Sequence, residues 1–185
     1  MWIKDWRQQA WSQLDQEWDI LIIGGGITGA GILRRAVQEG YKTLLVEAED
    51  FSSGTSSHSS KLIHGGIRYL RNKQFNMTRE SVREREWILK DAKNLVTPLP
   101  FLMPYHDDAK VERLFGLGVV IYDLLAPKWQ HRKLKAEVLL QQSPLLATSH
   151  LKGGYIYFDA VMDDSAVIMR LLREAVASGD VALNY

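Results

Sequence analysis

Apolar and polar positions along the first fifty residues predict two buried strands joined by a helix. Residues 19–23 form a short apolar run bounded by glycines, which indicates a buried parallel strand. Residues 27–39 have the spacing of an amphipathic helix, and Gly40 follows where a helix would end. Residues 43–46 predict a second strand, which ends at Glu47. These segments predict one βαβ unit.

The pattern changes after a polar loop over residues 51–66. It predicts a helix over 76–94, an apolar helix over 111–126, a strand over 155–158, a helix ending at Ser178 before Gly179 and a strand over 181–185. Three prolines, at 98, 100 and 104, predict an extended segment between the first two of these helices. We interpret the charged run 83–86 as a solvated helix face with i,i+4 pairs. Asp163 or Asp164 is expected to cap its helix rather than to form a catalytic pair.

A glycine motif lies between the first strand and the first helix. Gly24, Gly26 and Gly29 match G-x-G-x-x-G, in the strand–turn–helix context that dinucleotide binding requires. There the helix N-terminus offers free N–H groups to a pyrophosphate. Glu47 lies 18 residues beyond Gly29, where an acid accepts hydrogen bonds from ribose hydroxyls. The pattern therefore predicts FAD or NAD as the ligand, and not NADP.

Composition excludes several classes of function. The 185 residues carry a net charge of +1, which argues against nucleic-acid binding. Without cysteine, disulfides, iron–sulfur clusters and a cysteine nucleophile are excluded, and the scattered histidines lack metal-ligand spacing. No apolar run approaches the ~20 residues of a membrane-spanning helix, and the N-terminus lacks the apolar core of a signal peptide.

The N-terminal segment is rich in tryptophan. Trp2, Trp6 and Leu14 can share one helical face, so residues 1–17 are predicted to be a helical extension packed on the following domain. An interfacial membrane helix is the alternative, because tryptophan beside lysine or arginine suits lipid headgroups. Asp5, Asp15 and Glu17 weaken that alternative on anionic lipid.

The serine-rich segment that follows the βαβ unit resembles the signature of a known family. Residues 55–70 read Thr-Ser-Ser-His-Ser-Ser-Lys-Leu-Ile-His-Gly-Gly-Ile-Arg-Tyr-Leu. They are similar to the FAD-dependent glycerol-3-phosphate dehydrogenases of the D-amino-acid-oxidase-like flavoproteins, whose pattern is close to T-S-S-x-S-[ST]-K-L-I-H-G-G-[LI]-R-Y-L. The resemblance extends from Trp18 to Tyr185 and includes residues 84–86, 96–101, 118–124 and 157–164. Ser165-Ala166 departs from the Ala-Arg often found in the family, with no expected effect on the chemistry.

The resemblance implies an α/β fold in which a substrate domain is inserted into a Rossmann-like FAD-binding domain. We expect the FAD-binding domain to occupy 18–97 and 161–185, and the substrate domain to begin over 98–160. A doubly wound sheet needs more strands than this pattern contains, so the sequence is expected to be truncated. We therefore expect the 185-residue chain alone to be inactive.

The expected site residues follow from the motifs and the resemblance. Hydroxyl and backbone N–H groups of the serine-rich segment suit the FAD diphosphate, and Lys61 suits negative charge on a reduced flavin. The resemblance places Arg68 and Tyr69 at the substrate, where guanidinium offers a planar fork to phosphate. The expected cofactor-binding residues are Gly24, Gly26, Gly29, Glu47, Thr55, Ser56, Ser57, Ser60, Lys61 and His64. His64 either lies at the flavin or orients the loop. It is the candidate for a catalytic residue, but the sequence does not identify the catalytic base.

The activity that the resemblance implies is oxidation of sn-glycerol 3-phosphate to dihydroxyacetone phosphate. Electrons would pass to a quinone or to oxygen. The expected location is the cytoplasm, with peripheral contact to the cytoplasmic membrane face. Two alternatives stay open: an amine or amino-acid oxidase of the same superfamily, and an FAD-binding fragment without turnover.

Overall fold

The computed structural model describes residues 2, 4–126, 130–146 and 149–185, without the side chains of Arg68 and Arg71. These residues form two compact units: unit 1 comprises 1–61 and 163–185, and unit 2 comprises 62–162. Along the chain the elements are α1 (Trp6–Ser12), β1 (Ile20–Ile23), α2 (Ile27–Gln38), β2 (Thr43–Glu47), a 3₁₀ turn (Thr55–Ser57), β3 (Leu62–Ile63), α3 (Ile67–Arg71), α4 (Phe75–Asp91), β4 (Val96–Tyr105), α5 (Ala109–Leu125), β5 (Arg132–Lys135), α6 (Ala136–Gln142), β6 (Gly153–Met162), α7 (Asp164–Ala177) and β7 (Val181–Asn184).

Unit 1 is a three-layer α/β structure. Its parallel sheet has the order β1-β2-β7, with Ile22 beside Leu45 and Leu45 beside Ala182. Helices α2 and α7 cover one face of the sheet, where Leu33 and Leu172 are completely buried. The prediction of a βαβ unit is confirmed, since β1 and β2 pair in parallel and α2 connects them. Continuous apolar strands of this kind need helices to cover them.

The N-terminal segment covers the second face of the same sheet. Ala10 of α1 is buried with residues of β2 and β7, and Trp6 and Trp18 pack against them. Trp2 packs instead with the cluster on the α2/α7 face, where its ring stacks on Phe51 at a centroid distance of 5.7 Å. Trp11, in contrast, is 52% exposed. The predicted packing of this extension on its domain is therefore observed.

Unit 2 is built on an antiparallel sheet. β6 pairs with β4 along its whole length, and β3 and β5 pair with opposite ends of β6. The prolines at 98, 100 and 104 all lie in β4, two or four residues apart, so their nitrogens lie along one edge of the strand. Since proline cannot donate to a ladder, that edge is the one that β6 leaves unpaired. The pattern predicted β6 only in part and did not predict α3, β5 or α6, nor β3, which lies within the expected polar loop 51–66.

The boundaries between the two units lie at Lys61/Leu62 and at Met162/Asp163. The sequence, in contrast, predicted the first boundary at 97/98. The reason is α4, which packs within unit 2. Its Val82 is completely buried in a cluster with Tyr105, Val119 and Tyr122. A polar helix read in sequence order gives no signal of the later elements against which it packs.

One prediction about α4 is wrong. Arg85 is 3% exposed and Glu86 is 7% exposed, so half of the run 83–86 is buried rather than solvated. Arg83 and Glu84 are exposed as expected. Arg85 donates to Tyr122 of α5 and to Asp159 of β6, which are distant in sequence, and Glu86 accepts from Arg85. Local charge alternation could not reveal them.

Candidate functional site

The glycine loop of unit 1 has the close packing that its motif predicts. Gly24 has φ of 114°, a conformation that favours glycine, and its N–H donates to the Val46 carbonyl at 2.8 Å. A Cβ on Gly29 would overlap the carbonyl oxygen of Gly24. Gly26 is the N-cap residue of α2 and has no side chain to occupy the helix N-terminus. The loop can therefore bring backbone N–H groups close to a phosphate.

Glu47 lies against this loop from the end of β2. Its carboxylate accepts from the Gly25 N–H at 2.6 Å and from the Glu49 N–H at 2.9 Å. The hydrogen bonds from Glu49 and then from Gly25 lower the pKa of Glu47 below its ordinary value. An ionised, partly exposed carboxylate thus stands at the carboxyl end of the second strand, where the ribose of an adenosine is expected.

The serine-rich segment approaches the same helix terminus. The Ser56 hydroxyl accepts from the Ile27 N–H, in the first turn of α2, at 3.1 Å. The Ser57 hydroxyl donates to the Ser53 carbonyl at 3.0 Å. Thr55 and Ser60 are exposed. The structure thus brings Ser56 to the glycine loop, whereas binding of FAD by these four residues stays a prediction.

Helix α7 contacts the serine-rich segment through Asp164, which the sequence did not indicate as a residue of the site. Asp164, 5% exposed, forms an ion pair with Lys61 at 3.1 Å and accepts a hydrogen bond from the Ser59 hydroxyl. Asp163 caps the helix by accepting from the Ala166 N–H at 3.1 Å, as expected. The two aspartates therefore have separate structural roles and do not form a pair.

A second contact connects α7 to the loop after β2. The hydroxyls of Ser52 and Ser165 lie 3.0 Å apart. Ser52 is buried and has φ of 67°. Ser165 is the first residue of the Ser165-Ala166 pair that departs from the family pattern, and its hydroxyl makes this contact with the loop.

The predicted substrate residues Arg68 and Tyr69 lie in unit 2, at the start of α3, directly after a tight turn at Gly65–Gly66. Gly66 has φ of 75° and is the N-cap of α3, and a Cβ there would overlap the Tyr69 ring. The ring centroids of His64 and Tyr69 lie 6.0 Å apart in an edge arrangement. Nδ1 of His64 is buried and has no hydrogen-bond partner among the described residues. The Arg68 side chain lies outside the described residues, so its role stays a prediction.

The turn also contacts a residue that sequence reasoning missed. The Gly65 N–H donates to the buried Asp159 carboxylate of β6 at 2.9 Å. Asp159 follows an apolar strand pattern, and nothing near it in sequence distinguishes it from an ordinary strand residue. Only the pairing of β3 with β6 brings the two segments together.

The glycine loop, the terminus of α2 and Glu47 fit the diphosphate and ribose of a dinucleotide. Comparison with known families decides which dinucleotide it is: residues 19–184 match the family described as "FAD dependent oxidoreductase". The chain belongs to this FAD-dependent oxidoreductase family. Its cofactor is therefore FAD, and NAD, which the βαβ unit alone left open, is not the family's cofactor.

Several individual members of the family are similar to this chain. The aerobic glycerol-3-phosphate dehydrogenase of Staphylococcus saprophyticus is 39% identical over 175 residues, which cover 92% of this chain and 31% of that protein. The crystal structure of the Bacillus halodurans glycerol-3-phosphate dehydrogenase, complexed with FAD, is 34% identical with a TM-score of 0.71, covering 98% of this chain and 29% of that one.

L-proline dehydrogenase from P. horikoshii has a TM-score of 0.69 at 21% identity, covering 93% of this chain and 45% of that one. At that level of identity the likeness shows the fold alone. The chain spans about a third of the length of the glycerol-3-phosphate dehydrogenases that it matches.

Proposed function

We propose that this sequence supplies the cofactor-binding start of an enzyme that oxidises sn-glycerol 3-phosphate to dihydroxyacetone phosphate. One observation carries the proposal: 39% identity to an aerobic glycerol-3-phosphate dehydrogenase over 92% of the chain, which includes the whole serine-rich signature. When bound, FAD supplies the acceptor for the hydride that leaves C2 of the substrate. The residues of this chain bind and orient both molecules.

The chemistry of the individual residues and the family resemblance support their proposed roles. The N-terminus of α2 and Ser56 would hold the FAD diphosphate, and Glu47 would accept hydrogen bonds from the ribose. Arg68 binds the substrate phosphate through its planar fork, beside Tyr69. His64 is assigned to the reacting hydroxyl group, because its buried Nδ1 is without a partner in the described part of unit 2.

A pair of matched arginine variants tests the assignment of Arg68. Residues 1–185 are joined to the remaining two thirds of the Staphylococcus saprophyticus relative, and dye reduction is measured with glycerol 3-phosphate and with glycerol. Arg68→Met is expected to raise KM for glycerol 3-phosphate at least tenfold and to leave FAD content and glycerol oxidation nearly unchanged. Arg83→Met, the same change at an exposed position of α4, is the control. Equal losses with both substrates would instead indicate a structural role for Arg68.

The same chimera tests His64. His64→Gln keeps a polar side chain of similar reach but cannot accept a proton at neutral pH. We expect kcat to fall by about 10²–10⁴, the usual contribution of a positioned general base, with KM and FAD content little changed. Loss of FAD with unchanged kcat per bound flavin would place His64 at the cofactor instead.

We propose further that electrons leave to a quinone or to oxygen, and that the protein works in the cytoplasm at the cytoplasmic membrane face. No helix in the described part of the chain is long and apolar enough to cross a membrane. Peripheral contact would use Trp11, because Trp2, Trp6 and Trp18 pack within unit 1. Flotation with anionic vesicles should therefore be reduced by Trp11→Ser, and equal flotation of both forms would exclude this contact.

A further inference from the structure

A buried charge cluster lies directly beside the Gly65–Gly66 turn of unit 2. Arg85 Nη1 donates to Asp159 at 2.6 Å and to the Tyr122 hydroxyl at 2.7 Å, and its Nη2 donates to Glu86 at 3.0 Å. The Tyr122 hydroxyl donates in turn to Asp159 at 2.5 Å. One carboxylate oxygen of Asp159 thus accepts from Arg85, from Tyr122 and from the Gly65 N–H.

The protonation of the cluster follows from its surroundings. Burial, together with the charge of Asp159, raises the pKa of Tyr122 well above its ordinary value, so its hydroxyl stays a donor. Burial by itself lowers the pKa of Arg85, but Tyr122, Asp159 and Glu86 raise it, and the net direction is upward. Asp159 and Glu86 both contact this one guanidinium, and the Asp159 oxygen that accepts from Arg85 also accepts from the Gly65 N–H.

Stability alone does not account for such a cluster. Removing two charges from water costs about as much as their attraction returns, and apolar residues of equal volume often replace a buried ion pair without loss. Apolar residues, however, cannot fix the direction of a hydrogen bond. A carboxylate that Arg85 and Tyr122 hold in one rotamer accepts the Gly65 N–H from one direction only.

The segment that this hydrogen bond orients contains the candidate substrate residues. A Cβ on Gly65 would overlap the Tyr122 hydroxyl and would lie 2.6 Å from Val82, so the turn is packed tightly against the cluster. Just before it, Ile63 of β3 pairs with Ala160, next to Asp159. Just after it, Gly66 begins α3, the helix to which Arg68 and Tyr69 belong.

We propose that Asp159 is a positioning residue for the substrate-binding segment 64–70. Arg85 and Tyr122 orient its carboxylate, and the carboxylate sets the direction in which the Gly65–Gly66 turn enters α3. The assignment of a substrate to this segment rests on the proposed function above; the dependence of the turn on Asp159 does not.

Amide hydrogen exchange of the 185-residue chain tests the dependence directly. Asp159→Asn keeps the shape but removes the charge. We expect the Gly65 amide to exchange at least tenfold faster, with the β4–β6 amides unchanged. Asp123→Asn is the matched control: Asp123 is equally buried in unit 2, but it accepts from the backbone of Gln130 and His131. Tyr122→Phe, which leaves the ion pair intact, should accelerate Gly65 about threefold.

Equal exchange at Gly65 in Asp159→Asn and in the unchanged chain would overturn the proposal. If the β4–β6 amides also exchange faster in Asp159→Asn, the sheet itself has been disturbed, and Tyr122→Phe becomes the deciding variant. An unchanged exchange rate of the Gly65 amide in Tyr122→Phe would then overturn the proposal as well. In the chimera, Asp159→Asn should raise KM for glycerol 3-phosphate about tenfold, with smaller changes in kcat and FAD content, unlike Asp123→Asn. A chimera that does not oxidise glycerol 3-phosphate at all would refute the proposed function, while the exchange result would still decide the role of Asp159.

Discussion

Two glycines on α2 provide a matched test of how closely the helix must approach its strand. Gly29 is buried, and a Cβ added there would overlap the carbonyl oxygen of Gly24, a backbone atom that cannot rotate away. Gly31, two residues later, is exposed, and a Cβ there would meet nothing within 4 Å. Alanine has the higher helix propensity at both positions, so the two variants differ only in what the added methyl group contacts.

The expected free energies follow from this difference. Gly31→Ala should stabilise unit 1 by about 0.5–1 kcal/mol, the ordinary gain from glycine to alanine within a helix. Gly29→Ala should destabilise it by about 1–3 kcal/mol, the usual cost of overpacking, since α2 or the glycine loop must move. The separation between the variants is then about 1.5–4 kcal/mol.

Urea denaturation followed by far-ultraviolet circular dichroism measures that separation. FAD content after purification provides a second measurement, because movement of Gly24 displaces the phosphate-binding N–H groups. Gly29→Ala should bind less FAD and Gly31→Ala the same amount. If both variants unfold at the same urea concentration and retain the same FAD, the helix does not depend on close contact at Gly29, and the role assigned to the motif would be refuted.

Four other predictions concern the same unit and the whole chain. Glu47→Ala should weaken FAD binding by about 1–3 kcal/mol, measured by flavin titration. The pKa of Glu47 in the folded state lies below its ordinary value. The ionised carboxylate therefore stabilises the folded state above the ordinary carboxyl pKa, and this stabilisation is lost as the pH falls through the lowered pKa. Glu47→Gln should remove this part of the acid sensitivity, measured as the free energy of unfolding against pH. Asp163→Ala should cost about 1 kcal/mol in urea unfolding and Asp163→Asn much less, because asparagine also caps helices, and equal costs would contradict the capping role. The 185-residue chain with added FAD should show no dye reduction by glycerol 3-phosphate, and turnover per flavin comparable to that of the Staphylococcus saprophyticus relative would contradict this expectation.

Much of unit 1 could be predicted because its signals are local. Consecutive apolar residues, the G-x-G-x-x-G spacing and Gly40 after the helix each report a backbone requirement within a few positions of themselves. The observed bounds of β1, α2 and β2 lie within one residue of those expected. Asp163 caps α7 for the same reason, since a cap bonds to its own helix.

The surroundings of the candidate site depended on contacts that no local pattern encodes. Asp164 meets Lys61 across more than a hundred residues, and Asp159 meets Gly65 only because β3 pairs with β6. The run 83–86 was misinterpreted because alternating charge describes a solvated helix equally well until a partner removes Arg85 from water. Sequence by itself determined which backbone segments can bind a dinucleotide, whereas tertiary structure decided which buried charges orient the neighbouring turn, because desolvation and hydrogen-bond direction exist only once distant elements have packed.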